Sequence, residues 1–181
     1  MDKLVEKTIR TEHIFSGKII SLQVDDVLLP NGKESKREIV KHPGAVAVVP
    51  VTDEGKIVFV EQFRKPLERS IVEIPAGKIE ENEDPEVTAV RELEEETGYT
   101  TDSLKYISSF YTSPGFANEI IHLYYTDQLK KLPNKIAGDD DEFVQLIELT
   151  LEEAEQYVKE QKIFDAKTMY ALLYVKLLRE D

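Results

Sequence analysis

The sequence predicts an α/β fold, an α/β/α sandwich around a mixed sheet, preceded by a small antiparallel β unit. Residues 45–51 (AVAVVPV) form a nearly continuous apolar run, which is typical of a strand covered on both faces. A well-capped helix is expected at Pro85–Thr97. Strands and helices follow one another in mixed order over the rest of the chain, which favours a sheet with helices packed against it.

Residues 1–42 are predicted to be the N-terminal β unit, and residues 43–181 the main domain. Strands are expected at 18–29 and 33–42, joined by the turn residues Pro30-Asn31-Gly32. An isolated hairpin is only marginally stable in water. We therefore expect this unit to pack on the main domain or on a second subunit.

The elements of the main domain follow from local signals. Asp84 and Pro85 supply the N-cap and first position of the expected helix, and Gly98 ends it. Thr150 should cap a helix that runs to about Lys159, and Asp165 should cap the last one. Further strands are expected at 57–63, 71–75, 104–110, 120–125 and 143–149, with a polar loop at 129–141. The last helix should carry on or near its buried side Met169, Leu172, Leu173, Val175 and Leu177.

Composition limits the possible functions. The 181 residues fit one domain with a small extra unit, and 41% of them are apolar, enough for a core. The net charge of −13 disfavours nucleic-acid binding, whereas a small anionic substrate would need cations beside it. The lack of cysteine excludes disulfides, thiolate metal sites and cysteine nucleophiles. Without a signal peptide or a long apolar run, we expect no membrane contact and a cytoplasmic location.

Segment 77–99 (GKIEENEDPEVTAVRELEEETGY) carries the most informative pattern. Within its helix, Glu92, Glu95 and Glu96 stand at i, i+3 and i+4, which share one face. Three like charges so close together would destabilise a bare helix, and divalent cations bridging them would remove that cost. Carboxylate oxygens are hard ligands that suit Mg²⁺ or Mn²⁺. Arg91, one turn before Glu95, is placed to hold a carboxylate by a forked hydrogen bond.

A solvated, glutamate-rich helix face is the alternative interpretation, and the three glutamates alone do not exclude it. The wider spacing does: Gly77, Glu83, and then Arg91-Glu92-Leu93-Glu94-Glu95-Glu96-Thr97-Gly98. It resembles the signature of the Nudix hydrolase family, in which Gly, five residues, Glu and seven residues precede Arg-Glu-aliphatic-any-Glu-Glu-any-Gly-aliphatic. Tyr99 stands at the final aliphatic position, a mild departure at a packing position.

The resemblance implies a Mg²⁺ or Mn²⁺ site and a water that attacks a pyrophosphate. Glu83 and Arg91 match the family's supporting pair, which shapes the loop and the helix, and Gly77 would let the backbone turn tightly. Glu142, in the acidic run 139–142, and Glu95 are the candidates for the carboxylate that orients or deprotonates the water; a plain solvated loop is the alternative for the run. The implied metal ligands are Glu92, Glu95, Glu96 and the carbonyl of Ala76.

Residues outside this signature resemble the ADP-ribose pyrophosphatase branch of the family. Pro114 lies 16 residues after Gly98, where that branch has a proline, and a simple turn proline is the alternative interpretation. The flanking residues match too, and they are Glu61-Gln62-Phe63-Arg64, Glu73-Ile74-Pro75-Ala76-Gly77 and Ser113-Pro114-Gly115 with Glu119 after them.

By this resemblance, Arg64 would contact the diphosphate and Glu119 the ribose hydroxyls. Arg64 could instead be a surface arginine paired with an acid, and Glu119 an exposed strand residue. Arg37 and Glu38 resemble the adenine-reading pair of the branch, in which the N-terminal unit is exchanged between the two subunits of a homodimer. This agrees with the need of the hairpin for a packing partner.

The sequence therefore predicts Mg²⁺-dependent hydrolysis of ADP-ribose, or a related nucleoside diphosphate sugar, to AMP and ribose 5-phosphate. Two alternatives remain open. One is a Nudix enzyme for another nucleotide, such as a nucleoside triphosphate or a dinucleoside polyphosphate. The other is a sensor that binds the nucleotide without cleaving it, although such proteins usually lose glutamates of the signature, and this chain retains all of them.

Overall fold

The computed structural model describes residues 3–134 and 143–180. The predicted fold class is confirmed: the chain is α/β, with a mixed sheet and an antiparallel N-terminal unit. The described strands are β1 (Lys7–Ser16), β2 (Ser21–Leu28), β3 (Glu34–Lys41), β4 (Ala45–Pro50), β5 (Ile57–Arg64), β6 (Arg69–Glu73), β7 (Ala76–Lys78), β8 (Tyr99–Thr100), β9 (Lys105–Tyr111), β10 (Ile120–Thr126), β11 (Lys130–Lys131) and β12 (Val144–Leu149). The described helices are α1 (Pro85–Thr97), α2 (Leu151–Lys159), α3 (Ala166–Glu180) and a short 3-10 helix at Lys65–Leu67.

The chain divides into two compact units. The first comprises residues 3–44 together with Phe110–Ile121, and the second comprises Ala45–Ser109, 122–134 and 143–180.

The first unit is built on a three-stranded antiparallel sheet in the order β1-β2-β3. The expected strands at 18–29 and 33–42 correspond to β2 and β3, and Gly32 closes their turn at a φ of +80° with a hydrogen bond to the Leu29 carbonyl. Strand β1 was not predicted. All ten of its residues are exposed, so the sequence lacks the apolar alternation that marks a half-buried strand.

A second segment of the chain completes this first unit. Val40 of β3 donates to the Phe116 carbonyl at 2.8 Å and accepts from the Asn118 amide at 3.2 Å. The Asn118 side chain in turn accepts from the His42 amide at 2.8 Å. Residues 116–118 therefore add a short backbone ladder to β3.

Two main sheets, ordered β7-β4-β10-β9 and β12-β5-β6, hold most of the strands assigned to the second unit. Strand β4 has the predicted apolar run, and Val46 and Val48 on it are fully buried. They pack with Ala89 and Leu93 of α1 and with Tyr124 in one hydrophobic cluster. This burial fixes α1 against β4, and α1 carries the signature glutamates.

Helix α3 is where the predicted burial was partly wrong. Leu172 and Val175 are buried as expected, but Met169, Leu173 and Leu177 are 40–63% exposed. The buried stripe instead includes Lys167, Thr168 and Ala171. Residues 169, 173 and 177 repeat every four positions, so they share a helix face other than the buried one. The spacing of the apolar residues in the sequence did not show which of these two faces is buried.

Within the described residues, no helix is both long enough and apolar enough to cross a membrane.

Candidate active site

Helix α1 begins and ends at the predicted residues. The Asp84 side chain accepts from the Glu86 amide at 2.9 Å, Pro85 occupies the first turn, and Gly98 ends the helix at a φ of +73°. The inner face of α1 buries Ala89 and Leu93 in the core. Local signals therefore fix both ends of α1, and its buried face fixes which of its side chains point away from the core.

The three signature glutamates differ in their surroundings. Glu92 and Glu96 are buried, at 6% and 2% exposure, whereas the Glu95 side chain is 22% exposed. Glu96 accepts from the Ala76 amide of β7 at 2.9 Å. This bond places Ala76, the predicted backbone ligand, beside a predicted side-chain ligand.

Arg91 connects the carboxylates. Its Nε and Nη2 donate to the two oxygens of Glu83, each at 3.0 Å, which is a bidentate fork. Its Nη1 donates to Glu92 at 2.7 Å and to Glu95 at 3.2 Å. The hydrogen bonds from Arg91 lower the pKa of Glu83 from its ordinary value to about 2, and the Glu83 carboxylate raises the pKa of Arg91. Glu83 is therefore ionised at neutral pH.

Gly77 lies in β7 and pairs with Val46 of β4. It is not among the glycines with a positive φ, so the structure gives no support to the tight turn expected there. The reason for glycine is space: a Cβ at residue 77 would overlap the carboxylate of Glu92. Glycine at residue 77 therefore leaves room for the buried Glu92 carboxylate, which any other residue there would displace.

The donor set around α1 fits a divalent cation by its chemistry. Glu83, Glu92, Glu95 and Glu96 supply four carboxyl groups, and Arg91, which binds three of them, supplies one guanidinium. Over residues 3–134 and 143–180, no three acidic or histidine side chains are gathered around one point as a metal site. Arg91 Nη1 instead bonds both Glu92 and Glu95. Glu92 and Glu95 therefore lie close together, and carboxylate oxygens are the ligands that suit hard cations.

Arg64 belongs to a second group of charged side chains, which is centred on the buried Glu73. Its Nε donates to Glu73 Oε2 at 2.5 Å, and Lys167 Nζ donates to Glu73 Oε1 at 2.5 Å. Lys167 also donates to Asp165 at 3.0 Å. The sequence motif around Glu73 pointed to this segment without giving the residue a role, and Lys167 gave no sequence signal.

Arg37, in the first unit, is bound by Glu6 rather than standing alone. Its Nε and Nη2 donate to the two Glu6 oxygens at 2.8 and 2.6 Å, and its Nη1 donates to Ser35 Oγ at 3.0 Å. The neighbouring Glu38 is exposed. Because consecutive strand residues point to opposite faces of a sheet, the two side chains of the predicted adenine pair diverge along β3.

Pro114 and Glu119 lie in the segment that completes the first unit. Pro114 follows Ser113, whose carbonyl accepts from the Phe116 and Ala117 amides at 3.1 and 2.9 Å, so this proline sits in a turn. Glu119 accepts from Thr112 Oγ1 at 2.5 Å and lies 3.7 Å from His42 Nε2. Glu142, the remaining candidate, lies outside the described residues.

Tyr99, the one departure from the signature, also has a polar partner. Its hydroxyl donates to Glu148 of β12 at 2.7 Å, and this bond raises the pKa of Tyr99 to about 12. The aliphatic side chain usual at this position could not make such a bond. Here the position after Gly98 therefore connects the end of α1 to β12.

Comparison with known proteins agrees with this geometry. Residues 41–173 match the model of the NUDIX domain, and residues 6–40 match the nucleoside diphosphate sugar hydrolase N-terminal domain. The chain belongs to the Nudix family.

Two similar proteins come from bacilli, and both matches span nearly the whole chain. The methanol dehydrogenase activator of Bacillus methanolicus is 65% identical over 98% of this chain and 96% of its own length. The ADP-ribose pyrophosphatase of Bacillus subtilis is 63% identical over the same shares. A GDP-mannose pyrophosphatase of Cronobacter sakazakii is 30% identical over 97% of this chain and 95% of its own.

Among solved structures, a crystal structure of an ADP compounds hydrolase matches the fold with a TM-score of 0.84. It covers 97% of this chain and 94% of that one at 18% identity. At this identity the match supports the fold alone.

Proposed function

We propose that the chain hydrolyses the pyrophosphate of ADP-ribose, or of a related nucleoside diphosphate sugar, to AMP and ribose 5-phosphate. The observation that carries the substrate class is the 63% identity to an ADP-ribose pyrophosphatase over 98% of the chain. The site agrees with it, because the buried Glu96 accepts from the Ala76 amide and the buried Glu92 accepts from Arg91.

The family's ADP-ribose pyrophosphatases generally use divalent metals, and we propose Mg²⁺ here, with Mn²⁺ as a substitute. The residues that would hold it are Glu92, Glu95, Glu96 and the Ala76 carbonyl. When bound, the metal supplies positive charge that neutralises the diphosphate and makes a nearby water more acidic.

The residues of the chain then act on the substrate and the water. Arg64 would bind diphosphate oxygens, since guanidinium groups pair with phosphate by forked hydrogen bonds. A carboxylate, Glu142 or Glu95, would take a proton from the water as its oxygen bonds to one phosphorus. The anhydride P–O bond breaks, and the two phosphates leave as AMP and ribose 5-phosphate. Glu119 would bind the ribose, and Arg37 with Glu38 the adenine.

A direct test is to incubate the protein with ADP-ribose and Mg²⁺ and to measure AMP by chromatography. GDP-mannose belongs in the same panel because of the 30% relative, together with a nucleoside triphosphate and a dinucleoside polyphosphate. Faster turnover of either of the last two than of ADP-ribose would contradict the proposed substrate class. Tight binding with unchanged ligand would indicate a sensor.

The metal assignment is tested by Glu96→Gln, for which we expect turnover to fall by about a thousandfold, as for removal of a catalytic electrostatic group. Glu94→Gln is the matched control. Glu94 lies in the same helix, but its carboxylate accepts from Thr100 Oγ1 at 2.5 Å and is not part of the proposed metal site. Near-normal activity of the Glu96 variant would contradict the assignment.

A second candidate function is activation of a methanol dehydrogenase, supported by the 65% identity to a protein of that name. The two functions are compatible. Addition of the chain to purified methanol dehydrogenase should raise the oxidation rate of methanol. Repeating the assay with Glu96→Gln separates activation through hydrolysis from activation through binding alone.

We also propose that the chain forms a homodimer in which residues 1–42 are exchanged between subunits. The support comes from β1, whose Ile9, Ile14 and Phe15 are each more than 50% exposed. Apolar side chains grouped on one edge strand indicate a surface that another chain covers.

A further inference from the structure

Glu73 is a buried carboxylate outside the signature, 4% exposed, with a cation on each oxygen. Arg64 binds Oε2 and Lys167 binds Oε1, both at 2.5 Å, and Lys167 also binds Asp165. Two acidic and two basic side chains therefore form an electrically neutral group that joins β5, β6 and the start of α3.

Stability alone does not account for this group. Lys167 is 9% exposed and is the second residue of α3, where the positive end of the helix dipole disfavours a cation. Buried ion pairs often contribute no more to folding than apolar side chains of the same size. A lysine in this position points to a role for its charge.

The segment that carries Glu73 also reaches the proposed metal site. Residue 73 holds Arg64, the Ile74 amide donates to Thr168 Oγ1 at 3.0 Å, and the Ala76 amide donates to Glu96. Segment 73–77 thus contacts Arg64 at one end and the ligand candidates of α1 at the other, while Thr168 ties its middle to α3.

The pairs Arg91–Glu83 and Arg64–Glu73 differ in one respect. Arg91 binds both oxygens of Glu83 in a fork, and Arg64 binds Glu73 at Oε2 through Nε. Lys167 occupies the other oxygen of Glu73. Lys167 thereby fixes the Glu73 carboxylate, and Glu73 positions Arg64 through the oxygen that Lys167 does not bind.

We propose that Glu73 and Lys167 are positioning residues for Arg64 in diphosphate binding, an inference that rests on the proposed function. Glu73 orients the guanidinium through Nε. Lys167 holds Glu73 Oε1, which keeps Oε2 against Arg64 Nε and so fixes the guanidinium where diphosphate oxygens would bind. The Arg64 side chain is 38% exposed, which lets a ligand reach it.

The test uses Lys167→Met in the full chain with Mg²⁺. Calorimetry with α,β-methylene ADP-ribose, which resists hydrolysis, measures binding, and ADP-ribose turnover gives KM and kcat. We expect Kd and KM to rise about tenfold, which corresponds to the loss of about 1.4 kcal/mol of binding. The kcat should stay nearly unchanged, because Arg64 would bind the diphosphate equally before and during reaction.

A double-mutant cycle shows whether Lys167 acts through Arg64. In an Arg64→Ala background, Lys167→Met should weaken analogue binding no further. Lys176→Met is the matched control, since Lys176 lies on the same helix and pairs with Glu155 on the surface, and it should leave Kd and KM unchanged. An equal loss in both backgrounds would overturn the proposal and leave Lys167 a structural role.

Two further variants protect the test against loss of folding, which thermal unfolding would reveal. Lys167→Arg keeps a cation at Glu73 Oε1 and should restore most of the binding. Glu73→Gln removes the orienting charge and should weaken binding only where Arg64 is present. Wild-type protein that fails to bind or cleave the ADP-ribose compounds refutes the proposed function itself, whereas normal wild-type activity with additive variants refutes only this inference.

Discussion

Gly77 shows how the absence of a side chain leaves space for a neighbouring residue of the candidate site. Its backbone would accept alanine without strain, because its φ is not positive. The atoms nearest to a Cβ there are the end of the Glu92 side chain, which can rotate away at little cost to folding. Gly77→Ala should therefore shift unfolding by less than about 1 kcal/mol while the carboxylate loses its position.

For the same variant we expect kcat to fall at least about tenfold, the effect of a barrier raised by about 1.4 kcal/mol. Urea unfolding and ADP-ribose turnover, measured on one preparation, check both parts. In a Glu92→Ala background, Gly77→Ala should cause no further fall, since the group that it displaces is gone. A variant that unfolds, or that keeps full activity, would show that the space at residue 77 is not reserved for Glu92.

Glu83 predicts a pH dependence of stability. Its folded pKa of about 2 lies below the ordinary value of 4.5 because Arg91 donates to both oxygens. A depressed folded pKa stabilises the fold fully above the unfolded pKa, and this contribution is lost as the pH falls from about 4.5 towards 2. The Glu83 side chain is 16% exposed, so solvent screens the pair only partly.

Urea unfolding of Glu83→Gln and wild type at about pH 6 and about pH 3 tests this expectation. The wild type should lose more stability over that interval than the variant, by on the order of 2 kcal/mol. Parallel losses would show that Arg91 does not depress the pKa of Glu83 in solution.

At the scale of the element, α1 and β1 show what local sequence determines. Asp84, Pro85 and Gly98 gave both ends of α1 because caps and stops act within a few residues. Strand β1 depends on its pairing with β2, and because all of its side chains are exposed they provide no periodic signal.

The same limit applied to the candidate site. The signature glutamates were visible from their spacing on one helix. The group of Arg64, Glu73 and Lys167 was not visible as a group, because Glu73 and Lys167 are 94 residues apart and meet only where the start of α3 reaches the end of β6. The exposure of Leu173 was missed for a related reason. Helix α3 has more apolar residues than the neighbouring elements cover, and the sequence does not show which of them are covered.

Helix α2 has a complete capping box, which gives a prediction at this scale. Thr150 Oγ1 accepts from the Glu153 amide at 3.2 Å, and the Glu153 carboxylate accepts from the Thr150 amide at 2.8 Å. Thr150→Ala should lower the free energy of unfolding by about 1 kcal/mol, the usual contribution of such a cap. Thr150→Ser keeps the hydroxyl and should be close to wild type in urea unfolding. Equal losses in the two variants would show that the methyl group, not the cap, matters.

At the scale of the whole molecule, the proposed dimer accounts for the exposed apolar residues of β1. The pairing of β1 with β2 skips Ile9 and Ile14, so both lie at irregularities of the ladder. Ile9→Lys should change the mass in solution from that of a dimer to the 20.7 kDa of one chain, as measured by light scattering. Leu67→Lys, at a comparably exposed position in the second unit, is the control and should leave the mass unchanged.

Exchange of the N-terminal unit makes a sharper prediction than dimerisation alone. Arg37→Ala removes a proposed adenine-binding residue of the first unit, and Glu96→Gln removes a proposed metal ligand of the second. Each variant should be nearly inactive by itself. If each site combines the first unit of one subunit with the second unit of the other, a mixed dimer holds one site with both defects and one site with neither. Co-expression of the two variants should therefore give ADP-ribose turnover that neither shows alone. If each subunit builds its own site, every site in the mixture carries one defect, and co-expression restores nothing.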